Sequence, residues 1–264
     1  MLTVIDLIAT DLDGTLFRRD VTVSARSAAA LRACLDRGRH VAIATARPYV
    51  SLLNRIDADL LERLPCVCSN GATIFRSDQC VFENALEPDV ATEALRRMER
   101  DDLVVSMEMG GRLYINRDLD TGPVPFEVAH LSRIVSAPVV KILATHGPGH
   151  PAVVDLPALP PACQVTRTDG DTAATITAPG CTKERGLGVL LKLLGLDYAR
   201  VMAFGDGVND VEMLRLSRVG VAMANAVPEV LAVADRVAPS NEDDGVAVVL
   251  EELLSGAPSP DSRA

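Results

Sequence analysis

IATDLDGTLF, residues 8–17, ends an apolar segment in two aspartates that are one residue apart. Alternate side chains of a strand share a face at about 3.3 Å per residue, so we expect Asp11 and Asp13 roughly 6 to 7 Å apart. Two carboxylates at that distance repel each other by about 2 to 3 kcal/mol at an effective dielectric constant of 20. The stretch therefore predicts a strand end beside a positive charge, unless Asp13 and Gly14 form only a turn.

Strand and helix signals alternate around this stretch in the first eighty residues. VIDLIAT predicts a buried strand, the following segment predicts a helix capped by Ser24 and stopped by Gly38, and HVAIAT predicts the next strand. A second helix is predicted from near Pro48, and PCVCSNGATIF predicts a strand, a turn and a hairpin strand. Apolar strands that alternate with helices predict a parallel sheet covered on both faces.

The same alternation returns after about residue 179. The sequence predicts a helix from Lys183 to near Gly195, a strand at VMAFGD, a helix at VEMLRLS and a strand at VGVAMAN. Two more helices are predicted, one beginning at Pro228 and one at GVAVVLEELL. The tail SGAPSPDSRA is expected to be disordered.

The segment between these halves has a different pattern. EPDVATEALRRMER predicts a helix, whereas LVVSMEMGGRLYIN, VVKILATHG and CQVTRTDGDTAATIT predict strands with Gly-Gly and Asp-Gly turns. GPGHPAVVDLPALPP predicts a loop. We therefore predict an α/β fold in which a discontinuous core domain, residues 1–83 and 179–264, has a doubly wound, Rossmann-like parallel sheet. Residues 84–178 form an inserted α+β domain.

The composition of the 264 residues excludes several classes of function. The net charge of −10 and the lack of a basic block disfavour nucleic acid and membrane surfaces as partners. Aromatic residues make up only 3%, which disfavours stacking on nucleobases. The N-terminus shows no basic signal segment, and no run reaches about 18 apolar residues, so we expect a cytoplasmic protein. The six scattered cysteines are expected to be reduced core thiols.

Polar residues follow four of the predicted strands. The carboxyl ends of strands are where a doubly wound sheet binds ligands. Taken singly, each residue has a structural alternative: a turn for Asp13, Ser69 and Asn70, a helix cap for Thr45, Asp206 and Asp210, and solvent exposure for Lys183. A shared site accounts for all of them at once. The residues are Asp11, Asp13, Thr45, Ser69, Asn70, Asp206, Asn209 and Asp210, with Lys183 at the start of the helix that leads into the VMAFGD strand.

This set of residues predicts chemistry on a phosphoryl group. Four aspartates in one pocket need a cation, and Mg²⁺ is a hard ion that binds carboxylate oxygens and a substrate phosphate oxygen. Lys183, Thr45 and N–H groups at helix starts would hold the phosphoryl charge. Asp11 is then the candidate nucleophile, and Asp13 the candidate general acid and base.

These residues resemble the haloacid dehalogenase superfamily, in particular its Cof-type phosphatases. The resemblance spans the whole chain in order and spacing, and it departs at Ala46, where the family usually has glycine. The matching motifs are Asp11-Leu12-Asp13-Gly14-Thr15, Thr45-Ala46-Arg47, Lys183 with Gly186, Gly205-Asp206 through Asn209-Asp210, Ser69-Asn70-Gly71-Ala72, and Ser240-Asn241 through Asp244-Gly245-Val246-Ala247.

The resemblance implies roles for individual residues and for the inserted domain. Residues 84–178 would be a large α/β cap that helps to enclose the substrate. Mg²⁺ would bind Asp11, the backbone carbonyl of Asp13, and Asp206, with Asp210 mainly supporting. Phosphate would be held by Thr45, Lys183, Asn209 and the backbone of Leu12 and Ala46. Further candidate active-site residues are Arg47, Asn70, Gly71 and Asn241.

The predicted function is a Mg²⁺-dependent phosphatase, a phosphoric monoester hydrolase acting on a small phosphorylated metabolite. Sugar phosphates, phosphorylated cofactors and nucleotides are the substrate classes that we expect. A phosphomutase of the same superfamily forms the same aspartyl phosphate and is the nearest alternative. A phospho-aspartate signalling module is the alternative from another class, but such modules are shorter and need no cap. A catalytically silent binding protein is disfavoured because no essential residue is missing.

Overall fold

The computed structural model describes residues 5–119, 124–147, 152–168 and 172–256. These residues divide into two compact units. One unit lies within Met1–Arg47, Leu52–Val81 and Thr182–Ala264, and the other lies within Pro48–Ser51 and Phe82–Cys181.

The described residues alternate between strands and helices through most of the chain. The strands are β1 (Leu7–Thr10), β2 (His40–Ala44), β3 (Cys66–Cys68), β4 (Thr73–Arg76), β5 (Gln79–Glu83), β6 (Val104–Met109), β7 (Arg112–Ile115), β8 (Phe126–Val128), β9 (Val139–Thr145), β10 (Gln164–Thr168), β11 (Ala173–Thr177), β12 (Val201–Gly205), β13 (Val219–Met223) and β14 (Arg236–Ala238). The α-helices are α1 (Ala25–Asp36), α2 (Ala58–Leu61), α3 (Pro88–Arg97), α4 (Leu131–Ile134), α5 (Lys183–Leu194), α6 (Val211–Leu216), α7 (Pro228–Leu231) and α8 (Gly245–Ser255).

The first unit is built on a sheet whose described strands have the order β14-β13-β12-β1-β2-β3-β4-β5. Neighbours from β14 to β3 are parallel, and β4 is antiparallel to β3. Strands β1 and β12 are buried along their whole length because they are almost entirely apolar. Chain order runs outward from β1 through β2 in one direction and through β12 in the other. The predicted doubly wound α/β fold is confirmed, and its topological switch point lies beside β1.

Local signals at the helix ends are found where the sequence places them. The Ser24 hydroxyl accepts a hydrogen bond from the Ser27 amide at 3.0 Å and so caps α1. Helix α5 stops at Gly195, which adopts a left-handed conformation with φ of 69°. Pro228 occupies the first turn of α7, where its missing N–H costs no helical hydrogen bond.

The predicted helix from near Pro48 is wrong. Tyr49–Ser51 forms a single 3₁₀ turn, and α2 begins only at Ala58. Asp57 precedes α2 with a non-helical backbone (ψ of 131°), and its carboxylate lies 3.0 Å from the Arg32 guanidinium of α1. The apolar residues at intervals of four are nevertheless buried, so the pattern marks an inward face without a continuous helix. They are Leu52, Ile56, Leu60 and Leu64.

The second unit has a sheet whose described strands have the order β10-β11-β9-β6-β7-β8. Neighbours are antiparallel except β7 and β8, and helices α3 and α4 pack on each other. The Gly110-Gly111 turn joins β6 to β7 with positive φ at both glycines, as predicted. The α+β character of the segment is confirmed. The Asp-Gly turn between β10 and β11 lies outside the described residues, as does the predicted disordered tail from residue 257 onward.

The prediction that all six cysteines lie in the core is only partly correct. Cys34, Cys66, Cys68 and Cys181 are buried free thiols, whereas Cys163 is partly exposed and Cys80 is exposed because it lies on β5, where most side chains face outward. The short strands β5, β8 and β14 and the helix α4 were not predicted. Among the described residues, none of the helices has the length and apolar character needed to cross a membrane.

Candidate active site

The carboxyl ends of β1, β2, β3 and β12 meet at one edge of the first unit's sheet, because these strands are parallel. Asp11 follows β1, and its backbone amide donates a hydrogen bond to the Phe204 carbonyl of the neighbouring strand β12 at 3.1 Å. Thr45 follows β2 and donates its amide to the Val67 carbonyl at 2.8 Å. The sheet thus fixes the backbone beneath the polar residues before their side chains make any contact.

Three carboxylates lie together at this edge. One oxygen each from Asp11, Asp206 and Asp210 can be chosen so that all three lie within 4.8 Å of one another. Lys183 Nζ lies 2.8 Å from Asp11 Oδ1 and 2.7 Å from Asp210 Oδ1. Its side chain is only 1% exposed, so the solvent-exposed alternative for Lys183 is wrong.

The charges in this cluster do not balance within the protein. Burial raises the pKa of Asp11 to about 8, although Lys183 lowers it, and burial raises the pKa of Asp206 to about 6. Burial disfavours the ammonium of Lys183, but the charges of Asp11 and Asp210 outweigh this and raise its pKa above the ordinary value. Three carboxyl groups thus share one ammonium, and the raised pKa values of Asp11 and Asp206 show that ionising all three is unfavourable without a further cation. The shortfall of positive charge and the all-oxygen donor set both fit a hard divalent cation.

Asp210 uses its oxygens mainly to hold other parts of the cluster. Its Oδ2 accepts hydrogen bonds from the amides of Asp206 at 3.1 Å and Gly207 at 3.0 Å, while Oδ1 faces Lys183. A Cβ atom at Gly205 would lie 2.4 Å from the Asp210 Cβ, so the strand end must be glycine for Asp210 to lie there. This geometry orients Asp206 and Lys183 together.

The residues after Asp13 contact Asp206 directly. We name residues 13–23 the β1 loop; isolated β-bridges join Phe17 to Asp13 and to Val23. The Thr15 hydroxyl donates to Asp206 Oδ1 at 2.7 Å. Gly14 has φ of +74°, and a Cβ atom there would lie 2.1 Å from Asp206 Oδ2. Thr15 had no predicted role, although a hydroxyl directly after Asp-Gly was the available signal in the sequence.

Asp13 lies apart from the three clustered carboxylates in its side-chain contacts. Its carboxylate accepts two hydrogen bonds from Arg47, from Nε at 2.7 Å and Nη2 at 2.6 Å. The Arg47 guanidinium lies 5.6 Å from the centre of the Phe17 ring. The Asp13 side chain is half exposed and so accessible to solvent.

The remaining predicted residues fall into four groups by position. The Thr45 hydroxyl accepts from the Arg47 amide at 3.1 Å and so closes the turn that contains Ala46; it does not cap an α-helix, since Tyr49–Ser51 forms only a 3₁₀ turn. Asn209 Nδ2 donates to Asn70 Oδ1 at 3.2 Å, and a Cβ atom at Gly71 would lie 2.1 Å from the Thr182 carbonyl. Asn241 Nδ2 donates to the Phe17 carbonyl in the β1 loop. Leu12 is fully buried between Asp11 and Asp13.

Known proteins resemble the chain along almost its whole length. A family model described as haloacid dehalogenase-like hydrolase matches residues 8–250. The chain is 28% identical to 5-amino-6-(5-phospho-D-ribitylamino)uracil phosphatase YitU of Bacillus subtilis, over 94% of this chain and 97% of that protein. It is 30% identical to HMP-PP phosphatase of Cronobacter sakazakii, over 85% and 86% of the two chains. A solved haloacid dehalogenase-like hydrolase from Bacteroides thetaiotaomicron shares the fold, with a TM-score of 0.79 at 24% identity over 94% of this chain and 99% of that one.

Proposed function

The chain belongs to the haloacid dehalogenase-like hydrolase family as a Cof-type phosphatase, and we propose that it uses Mg²⁺ and an aspartyl phosphate on Asp11. The observation that carries the proposal is the Asp11 carboxylate, buried at a strand end with Lys183 on one side and Asp206 and Asp210 within reach. Such a carboxylate is held in place and shielded from bulk water, as a nucleophile toward a phosphoryl group requires.

The proposed substrate is a small phosphorylated metabolite: a sugar phosphate, a phosphorylated cofactor or a nucleotide. Two relatives are named for the removal of phosphate from small molecules, which supports this class. It also favours hydrolysis over the phosphomutase alternative. We propose residues 84–178 as the cap domain, and the continuous segment Phe82–Cys181 of the second unit supports that assignment.

The proposed reaction has two steps at phosphorus. An Asp11 carboxylate oxygen bonds to phosphorus while the bond from phosphorus to the leaving oxygen breaks, and Asp13 gives its proton to that oxygen. Water then attacks the aspartyl phosphate at phosphorus, Asp13 takes a proton from the water, and the bond between Asp11 and phosphorus breaks. Inorganic phosphate leaves, and both aspartates return to their starting states.

Other residues hold the phosphoryl group and the ion in this proposal. Lys183 and Thr45 would bind phosphoryl oxygens with Asn209 and the backbone N–H groups of Leu12 and Ala46. Asp11, Asp206 and the backbone carbonyl of Asp13 would hold Mg²⁺, with Asp210 in support. When bound, Mg²⁺ supplies positive charge that lets the Asp11 carboxylate approach an anionic phosphoryl group.

Release of phosphate from p-nitrophenyl phosphate, followed by a panel of phosphorylated metabolites ranked by kcat/KM, tests the proposal. We expect turnover with Mg²⁺ and none with excess EDTA. We also expect net phosphate release without isomerisation of sugar phosphates. Full turnover in EDTA would contradict the proposed requirement for Mg²⁺. Isomerisation of sugar phosphates without phosphate release would favour the phosphomutase. If no compound of the panel is hydrolysed in the presence of Mg²⁺, the proposed phosphatase activity is contradicted.

A further inference from the structure

Two asparagines outside the carboxylate cluster bind the backbone of the β1 loop. Asn225 Nδ2 donates to the Gly14 carbonyl at 2.7 Å. Asn241 Nδ2 donates to the Phe17 carbonyl at 2.8 Å. Both asparagines belong to the first unit, 211 and 224 residues along the chain from the carbonyls that they bind.

The two asparagines also bind each other. The backbone N–H of Asn241 donates to Asn225 Oδ1 at 3.1 Å. The Asn225 carboxamide therefore donates to the loop through Nδ2 and accepts from Asn241 through Oδ1. A carboxamide supplies a donor and an acceptor on separate atoms without charge, whereas a carboxylate only accepts. Aspartate at position 225 would keep the acceptor but would turn a negative oxygen toward the Gly14 carbonyl.

Neighbouring residues reinforce the same connection. Glu242 accepts a hydrogen bond from the Arg19 amide at 2.7 Å, and Asp244 pairs with Arg18 at 2.8 Å. These contacts lie farther along the β1 loop from Asp13 than those of the asparagines. The segment after β14 therefore binds the loop from Phe17 to Arg19, while Asn225, which follows β13, binds it at Gly14.

The bound carbonyls lie where a displacement would reach the active site. Gly14 is between Asp13, the proposed acid and base, and Thr15, whose hydroxyl orients Asp206. The Phe17 amide donates to the Leu12 carbonyl at 2.7 Å, so the position of Phe17 is coupled to the backbone between the two catalytic aspartates. Catalytic geometry tolerates little error, since a misplacement of about 1 Å can cost about 100-fold in rate.

We infer that Asn225 and Asn241 are positioning residues: they hold the β1 loop in place and so keep Asp13 and Thr15 correctly positioned relative to Asp11 and Asp206. The inference rests on the proposed function for its effect on rate, but not for its effect on the loop. Asn225 is exposed and Asn241 is half-buried. Each hydrogen bond therefore contributes little to folding, and the main loss on mutation is in geometry.

The test compares Asn225→Ala and Asn241→Ala with Asn116→Ala, a matched control. Asn116 likewise binds backbone through its carboxamide, to Leu103 at 2.9 Å and Val105 at 3.0 Å, but in the second unit. The measurements are the melting temperature, amide hydrogen exchange of the metal-free protein over residues 14–19, and kcat and KM for p-nitrophenyl phosphate. Asn225→Asp serves as a second variant at the same position, because it keeps the acceptor and removes the donor.

We expect both alanine variants and Asn225→Asp to exchange about tenfold faster over residues 14–19 and to lose at least about tenfold in kcat, with a smaller change in KM. Asn116→Ala should match the wild type over those residues and in kcat. Unchanged exchange in the β1 loop would overturn the inference, whatever happens to the rate. Faster exchange with kcat within about twofold of wild type would also overturn it. If the wild type itself releases no phosphate, the proposed function fails, while exchange still decides whether the asparagines hold the loop.

Discussion

At the scale of single residues, the central feature is one lysine shared by buried carboxylates. Lys183 lies between Asp11 and Asp210 at nearly equal distances, and Asp206 adds a third carboxylate within reach. A lysine at the start of a helix lies at the unfavourable end of the helix dipole, and the two carboxylates remove that conflict. The sequence contained this clue, but the identity of the nearby anions required the fold.

Lys183→Met should lower both stability and turnover. Removing one partner from a buried ion pair leaves uncompensated charge and costs about 3 to 5 kcal/mol, so we expect a clear loss in the free energy of unfolding by urea. The matched control is Lys192→Met, an exposed lysine on the same helix α5, which should change stability by less than about 0.5 kcal/mol. Equal stability of the two variants would contradict the buried ion-pair assignment.

At the scale of elements, close backbone packing places Lys183 at the site. The first turn of α5 packs on the turn after β3, and a Cβ atom at Gly186 would lie 2.6 Å from the Gly71 Cα and 2.5 Å from a Val67 methyl carbon. Gly188, two residues farther along, has open space, since a Cβ atom there would make only ordinary contact with Tyr198 at 3.7 Å. The same helix thus contains one glycine that is required and one that is not.

Gly186→Ala and Gly188→Ala should therefore have opposite effects on stability. The first forces α5 away from the turn after β3, at a cost of about 1 to 3 kcal/mol, and lowers turnover because Lys183 moves with the helix. The second gains up to about 1 kcal/mol from the higher helix propensity of alanine. Denaturant titrations measure both, and destabilisation by Gly188→Ala as large as that by Gly186→Ala would refute the packing argument.

Elements were predictable where sequence periodicity and end signals agreed. Helix α5 shows this, since its apolar spacing and its terminal Gly195 both mark its extent. The segment after Pro48 has the spacing without a continuous helix, since Tyr49–Ser51 is a 3₁₀ turn and Asp57, beside Arg32, is non-helical. The three-residue strand β14 is too short for any period to show. Such failures occur where contacts distant in sequence determine the backbone.

At the scale of the whole molecule, the sheet order explains why residues far apart in sequence share one site. The positions of the motifs after predicted strands indicated which residues meet at the site, because the carboxyl ends of parallel strands beside a switch point lie together. Hydrogen bonds across that edge were not predictable, and the carboxamide of Asn225 on the Gly14 carbonyl is the clearest example. No residue pattern around Asn225 distinguishes it from an ordinary turn residue.

The stability of the metal-free protein should fall as pH rises from about 4 to about 8. Asp11 and Asp206 have raised pKa values of about 8 and about 6 in the folded state, against an ordinary value of 3.8. The folded chain therefore binds more protons than the unfolded chain in this window, and linkage makes folding less favourable with each step up in pH. Urea unfolding in EDTA at pH 5 and pH 8 measures the trend, and a metal-free protein that is more stable at pH 8 would contradict the assignment.

Mg²⁺ should offset part of that loss, because it replaces the missing positive charge. At about 100 times its dissociation constant, a ligand specific for the folded state adds about 2.7 kcal/mol. We expect the rise in melting temperature on adding Mg²⁺ to be larger at pH 8, where both carboxyl groups are ionised more readily, than at pH 5. Asp206→Asn should reduce the rise, whereas Asp36→Asn, at an exposed carboxylate paired with Arg63, should leave it unchanged. A rise of equal size in both variants would place the ion elsewhere.

The most direct test of the whole account is to trap the phosphorylated enzyme. Wild-type protein is mixed with p-nitrophenyl phosphate and Mg²⁺, quenched in acid within the first turnover, and mapped by mass spectrometry of its peptides. We predict a base-labile phosphate on the peptide that contains Asp11, and no such label in Asp11→Asn, which should also release no phosphate. Rapid phosphate release without a label on Asp11, or a label that persists in Asp11→Asn, would contradict the central claim that Asp11 is the nucleophile.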